Sequence, residues 1–110
     1  MELNLNNKYA LVCGSTQGIG RATAIALAKE GALVTLVARN REKLKEVLSE
    51  LPNSEKHNFI VADFSNPRDL QEQVIKFIEK NHGFHILINN TGGPRSGDIL
   101  NASLEEFDNA

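Results

Sequence analysis

Four short apolar runs alternate with charged stretches whose apolar residues recur at helical spacing, and this alternation restricts the chain to one kind of architecture. Tyr9-Ala10-Leu11-Val12-Cys13 is almost wholly apolar and ends at Gly14, as suits a strand buried on both faces. Leu33 to Ala38, containing Val34, Thr35 and Val37, repeats the pattern as a second strand. Phe59-Ile60-Val61 is a shorter third run, and His85 to Asn89 a fourth. Between the first two, Ile19, Ala22 and Ala26 fall at helical spacing, and Gly31 supplies a left-handed stop. Leu44, Val47, Leu48 and Leu51 stand at i, i+3, i+4 and i+7 on a charged helix that Pro52 ends. Asn66-Pro67 is an N-cap followed by a first-turn proline, and Leu70, Val74, Phe77 and Ile78 give the third helix its stripe up to Gly83. Ser103 with Glu106 three residues on resembles a capping box that opens a fourth helix.

This βαβαβαβ(α) order predicts the α/β class: a doubly wound parallel sheet with helices on both sides, joined by right-handed crossovers. Its 110 residues make one domain, 1–110, and leave no room for a second.

The charge balance narrows the partners. Twelve basic residues stand against fourteen acidic ones, a net charge of −2, which gives no reason to expect nucleic acid or an anionic membrane. No stretch approaches the roughly 18 uninterrupted apolar residues of a membrane span. Met1 to Lys8 is polar and Asn-rich, without the layout of a signal peptide, so the cytoplasm is the expected location. Cys13 is the only cysteine and sits inside an apolar run, where a thiol is expected as a small buried hydrophobe. His57, His82 and His85 have no spacing suited to a metal or to acid–base work, so they are read as structural or surface residues and no metal is expected.

The segment Gly14-Ser15-Thr16-Gln17-Gly18-Ile19-Gly20 joins the first strand to the first helix. A helix N-terminus presents unpaired N–H groups and a partial positive charge, which an anion reaches only where no side chain blocks it. Gly14 allows the tight exit from the strand, Gly18 opens the approach to a phosphate, and Gly20 lets the helix pack closely on the sheet. A glycine triplet alone specifies only a tight turn; its place at the first strand-to-helix junction makes it a diphosphate cradle.

The spacing Gly-x-x-x-Gly-x-Gly resembles the short-chain dehydrogenase/reductase family, and two further segments agree. Ala62-Asp63-Phe64, after the third strand, looks like the family's aspartate that recognises adenine. Asn89-Asn90-Thr91-Gly92, after the fourth, looks like its Asn-Asn-Ala-Gly segment, with Thr91 in place of alanine. The resemblance spans Tyr9 to the chain end and is nearest to the 3-oxoacyl-carrier-protein-reductase-like members. It implies a Rossmann-type sheet of strand order 3-2-1-4, cut after the fourth strand, with the cofactor at the crevice between strands one and four. Gly14, Ser15, Thr16, Gln17, Gly18, Ile19, Gly20, Arg39, Asp63, Phe64, Asn90, Thr91 and Gly92 are then the cofactor-binding residues.

The end of the second strand bears on which cofactor. An acid there would accept hydrogen bonds from the ribose hydroxyls and repel a 2′-phosphate. Ala38 stands in that place, and Arg39 follows with a guanidinium fork suited to a phosphate dianion, while Ser15 and Thr16 are expected to add hydroxyl donors. NADP(H) is expected over NAD(H), although Gln17 occupies a place that is basic in many NADP-dependent relatives. Arg41 is read as a solvated residue at the entrance of the second helix, and Arg95, in the turn-forming Gly93-Pro94-Arg95-Ser96-Gly97, as a solvated loop arginine.

Family members interconvert a carbonyl and an alcohol with a tyrosine acid/base, a lysine and a serine. The only tyrosine is Tyr9, inside the first strand, and no Tyr-x-x-x-Lys occurs, so no catalytic residue is assigned. The chain is therefore expected to be the N-terminal, cofactor-binding part of a longer NADP(H)-dependent oxidoreductase with a small carbonyl or alcohol substrate, itself inactive. The alternative is a non-catalytic dinucleotide-binding or interaction module. The resemblance implies a homo-oligomer, and an uncovered fourth strand carrying Ile86, Leu87 and Ile88 is expected to pair with another chain.

Overall fold

The computed structural model describes residues 4–90. The elements are β1 (Tyr9–Cys13), α1 (Gly18–Lys29), β2 (Leu33–Ala38), α2 (Arg41–Glu50), a single 3₁₀ turn (Ser54–Lys56), β3 (Asn58–Val61), α3 (Pro67–Lys80) and β4 (Ile86–Asn89). The strands form one sheet in the order β3-β2-β1-β4, and every pairing is parallel. Leu11 lies opposite Thr35 on one side and Leu87 on the other, and Val37 lies opposite Ile60.

Strand alternation divides the core between two faces. Ala10, Val12, Val34 and Leu36 turn to the face that α1 and α2 cover, where they meet Ala24, Ala28, Leu44 and Val47. Leu11, Cys13, Val37 and Ile60 turn to the other, against Leu70, Val74 and Ile78 of α3. Both faces of β1 and β2 are thus covered, which is why these strands read as unbroken apolar runs.

The inward face of α1 differs from the expected stripe. Ile19, Ala22 and Ala26 are exposed, Ile19 by 74%. The residues that face the sheet are Gly20, Ala24 and Ala28, flanked by the half-buried Ile25 and Leu27. The cause is closeness: a helix seated tightly on a sheet needs small residues at the contact, and larger ones fall on its flanks. Beyond Lys29 the chain closes a Schellman cap, with Gly31 N–H donating to the Ala28 carbonyl (3.1 Å) and Ala32 N–H to the Leu27 carbonyl (3.1 Å). Gly31 takes φ 98°, as this cap requires.

Asparagine caps the other two helices. Asn40 accepts from Lys43 N–H (3.1 Å) at the start of α2, and Asn66 accepts from Asp69 N–H (3.2 Å) at the start of α3, ahead of Pro67. Arg21 of α1 and Glu50 of α2 pair on the surface.

Histidines secure the entry ends of the strands. His57 is buried; its Nδ1 accepts from Val34 N–H (3.0 Å) while its Nε2 donates to the Pro52 carbonyl (2.8 Å). His85 Nδ1 accepts from Tyr9 N–H (2.9 Å), and His85 N–H donates to the Tyr9 carbonyl (2.8 Å). The Tyr9 ring stacks on His82, centroids 3.6 Å apart, and on His85 at 5.6 Å, with Phe77 and Phe84 packed around His82.

Cys13 is fully buried, and burial pushes its thiol up to about 12. The native protein is expected to leave an aromatic disulfide reagent unreacted at neutral pH and to release one thiol per chain in denaturant. Rapid labelling without denaturant would contradict this packing.

Candidate functional site

β1 lies between β2 and β4, so the chain passes to one side of β1 through α1 and to the other through α3. The crevice of such a sheet opens at the carboxyl ends of its strands, where the winding reverses. Gly14 N–H donates to the Val37 carbonyl (2.9 Å) and Asn90 N–H to the Cys13 carbonyl (3.1 Å), which fixes the three strand ends that frame it.

From Gly14, with φ 74°, the chain turns up to α1, which begins at Gly18 with φ 59°. Gln17 occupies the N-cap in extended conformation, its side chain makes no cap bond, and the first turn holds no acidic residue. The first N–H groups of α1 therefore keep their donor capacity and positive end for an external anion. Two glycines serve this turn differently. A β-carbon on Gly20 would overlap the Gly14 carbonyl, lying 2.9 Å from its carbon and 3.1 Å from Asn90 Nδ2. A β-carbon on Gly18 would meet nothing within 4 Å. Gly20 seats the helix, whereas Gly18 makes the left-handed turn and leaves clear space ahead of it.

A cavity of about 400 Å³ opens here, within the ~300–1,000 Å³ typical of small-ligand sites. Gly14, Thr16 and Gln17 line it from the turn, and Ala38 and Arg39 from the end of β2. Asp63, Phe64 and Ser65 line it after β3, and Asn90 after β4. The structure thus brings together Gly14, Thr16, Gln17, Arg39, Asp63, Phe64 and Asn90 of the residues named from sequence. Gly18, Ile19 and Gly20 lie in the adjoining turn rather than on the cavity wall, and Thr91 and Gly92 fall outside the described residues, as do the Gly93–Gly97 turn and the Ser103 helix start.

Ser15 does not offer the hydroxyl expected of it. Its side chain is fully buried and its Oγ donates to the Val37 carbonyl (3.4 Å), because the turn folds back over the end of β2. Thr16 alone of the pair faces the cavity.

Ser65 is a residue that sequence reading missed. Its N–H (2.9 Å) and Oγ (2.7 Å) both donate to Asp63 Oδ1. These two bonds hold the Asp63 carboxyl below the usual carboxylate range, against an opposing desolvation and with a smaller contribution from the Arg39 guanidinium. Asp69 fixes the same loop from α3, its Oδ2 accepting from Asp63 N–H (3.0 Å) and its Oδ1 from Gln73 Nε2 (3.3 Å). A serine two residues beyond an aspartate is the local signal that could have found this turn. Arg39 is exposed and makes no ion pair among the described residues.

The cavity and the turn beside it thus offer an uncapped helix N-terminus, an exposed guanidinium at the end of β2, and an ionised acceptor after β3. That donor set fits a ligand bearing two separate phosphate groups and a donor-bearing ring. Tyr9 lies at the opposite end of β1. No group of three or more metal-ligating side chains occurs among the described residues, and no described helix is long and apolar enough to cross a membrane.

Comparison with known proteins adds sequence relatives to this geometry. The short chain dehydrogenase family model matches residues 8–110. An NADPH-dependent pterin aldehyde reductase of Arabidopsis thaliana is 37% identical over 103 residues, which is 93% of this chain and 43% of the relative. The 7alpha-hydroxysteroid dehydrogenase of Clostridium sardiniense is 41% identical over 90 residues, covering 81% of this chain and 34% of the relative. Among solved structures, L-sorbose reductase from Gluconobacter frateurii, complexed with NADPH and L-sorbose, superposes with a TM-score of 0.83 at 26% identity, covering 96% of this chain and 49% of that one. Glucose dehydrogenase of Caenorhabditis elegans gives 0.78 at 30% identity, covering 93% and 50%. The chain spans less than half the length of these curated relatives and about half of the solved chains.

Proposed function

Because the chain belongs to the short-chain dehydrogenase family, we propose that it is the cofactor-binding part of an NADP(H)-dependent oxidoreductase acting on a carbonyl/alcohol pair. The observation that carries this reading is Arg39, exposed at the cavity rim directly after Ala38, where an acid would select against a 2′-phosphate. The NADPH named for the Arabidopsis relative and for the sorbose reductase complex supports the same choice.

In this reading the first turn of α1 holds the diphosphate with backbone N–H groups. Arg39 pairs with the 2′-phosphate, and Thr16 donates its hydroxyl beside it. Asp63, ionised and steadied by Ser65, accepts from the adenine amine, and Phe64 covers the ring. Asn90 closes the crevice above Gly20. When bound, the cofactor supplies hydride exchange with the substrate carbon. No residue of this chain is assigned the accompanying proton transfer.

Arg39→Ala is the direct test. Charge-assisted hydrogen bonds contribute about 1.5–3 kcal/mol, so NADPH is expected to bind roughly 10- to 100-fold more weakly to the variant. NADH affinity should change by no more than about threefold, because the ribose hydroxyls carry no charge for Arg39 to meet. Titration calorimetry with both cofactors reads the split. Equal losses for the two would remove Arg39 from the 2′-phosphate site.

A further inference from the structure

The edge of the sheet formed by β3 has the features of a binding surface that dinucleotide chemistry does not use. Ala62 donates its N–H to the Ala38 carbonyl (3.0 Å). Bonding direction alternates along a strand, so Ile60 also faces β2, while Phe59 and Val61 aim their N–H and C=O groups away from it. Among the described residues no strand lies beyond β3. Two donors and two acceptors therefore stand along this edge in the spacing of a sheet ladder.

A groove of about 380 Å³ follows the edge, and cations flank it from both faces. On the α2 side the Arg41 guanidinium sits 5.7 Å from the centre of the Phe59 ring. On the α3 side Lys76 and Lys80, one helical turn apart, line the groove beside Phe77. Both lysines are exposed, and neither enters an ion pair among the described residues. No acidic side chain lines the groove, although the protein as a whole is net negative. Successive side chains of an added strand point to opposite faces, so an acidic strand here would meet Arg41 with one set and the two lysines with the other. We propose that the β3 edge binds an extended acidic segment of a partner protein as an added strand, backbone pairing with Phe59 and Val61 and charge pairing with Arg41, Lys76 and Lys80.

Lysines at an edge also guard sheets against self-pairing, and the same test separates that role from recognition. The probe is a short fluorescein-labelled peptide in which pairs of glutamates alternate with pairs of valines, so that glutamate stands on both faces of the strand, titrated with the full chain and followed by anisotropy. Saturable binding is expected, and Lys76→Glu/Lys80→Glu should weaken it by about tenfold or more while leaving NADPH binding unchanged. Methylating alternate backbone amides of the peptide should weaken it comparably, since those amides must pair with β3. The proposal is overturned if the acidic peptide does not bind, which leaves the cations as edge protection. It also fails if a lysine-for-glutamate peptide binds equally well, if the methylated peptide is unaffected, or if the double variant binds as before, as pairing at the β4 edge would produce.

Discussion

Gly20→Ala is expected to lower the free energy of unfolding by roughly 3 kcal/mol or more, the upper end of what one added methyl does in a packed core. The added carbon would fall on the Gly14 carbonyl, and a carbonyl held in the strand-to-helix turn cannot swing aside as a side chain can. Relief requires α1 to lift off the sheet, which opens the contact that Ala24 and Ala28 make through their smallness. Against a typical total of about 5–15 kcal/mol, such a loss would be plain as a fall in the urea midpoint. Gly18→Ala is the internal control. It adds a methyl into open space and carries only the left-handed backbone cost, about 1–2 kcal/mol. It should keep most of the stability and lose dinucleotide affinity, since the new methyl stands before the helix N-terminus. Equal stability of the two variants would mean that helix α1 is not seated on Gly14.

His57→Ala is the second large effect, expected at about 3 kcal/mol. The imidazole satisfies a buried backbone N–H at Val34 and the Pro52 carbonyl with one ring, so its removal orphans a donor inside the second strand. An unpaired buried group costs about 1–3 kcal/mol, and the lost packing adds to it. His57→Phe restores volume without either bond and should recover only part of the loss. The ring also borders a polar recess of about 280 Å³ with Asn53 and Lys56. Water entering there would hold the alanine variant near ~1 kcal/mol and leave the phenylalanine variant the worse of the two. Denaturant melts of both variants decide between these outcomes. By comparison, His85 is exposed, so His85→Ala should cost no more than about 1 kcal/mol, because water replaces the imidazole at Tyr9 N–H.

The parts of this fold legible in the sequence are those where burial imposes a strong pattern. β1 and β2 are covered on both faces, so their apolar runs coincide with the observed strands. Leu44 and Val47 on α2, and Leu70, Val74 and Ile78 on α3, are large residues that must turn inward, and their period shows it. The inner face of α1 was not legible by the same method, because apolar periodicity weights size and that helix packs through glycine and alanine. The 3₁₀ turn at Ser54–Lys56 follows Asn53 in left-handed conformation and leaves no periodic trace. In the site, Arg39 was named from the residue types at the end of the second strand and Asp63 and Asn90 from the family resemblance of the segments that follow the third and fourth, and the three meet at one cavity. Which way a turn side chain points depends on the path of the turn. Ser15 therefore faces inward against expectation, and the hold of Ser65 on Asp63 emerges only from the folded loop.

The stacked rings at the entry end of β1 give the protein a built-in optical probe. Tyr9 is the sole tyrosine and the sequence has no tryptophan, so intrinsic emission comes from one ring lying against His82 and His85. That ring sits a full strand away from the cavity, too far for a ligand there to touch it. Once absorption by the cofactor and through-space energy transfer to it are corrected for, a remaining change in tyrosine emission on cofactor addition would be a signal carried along β1, and none would be expected if the two ends of the sheet act independently.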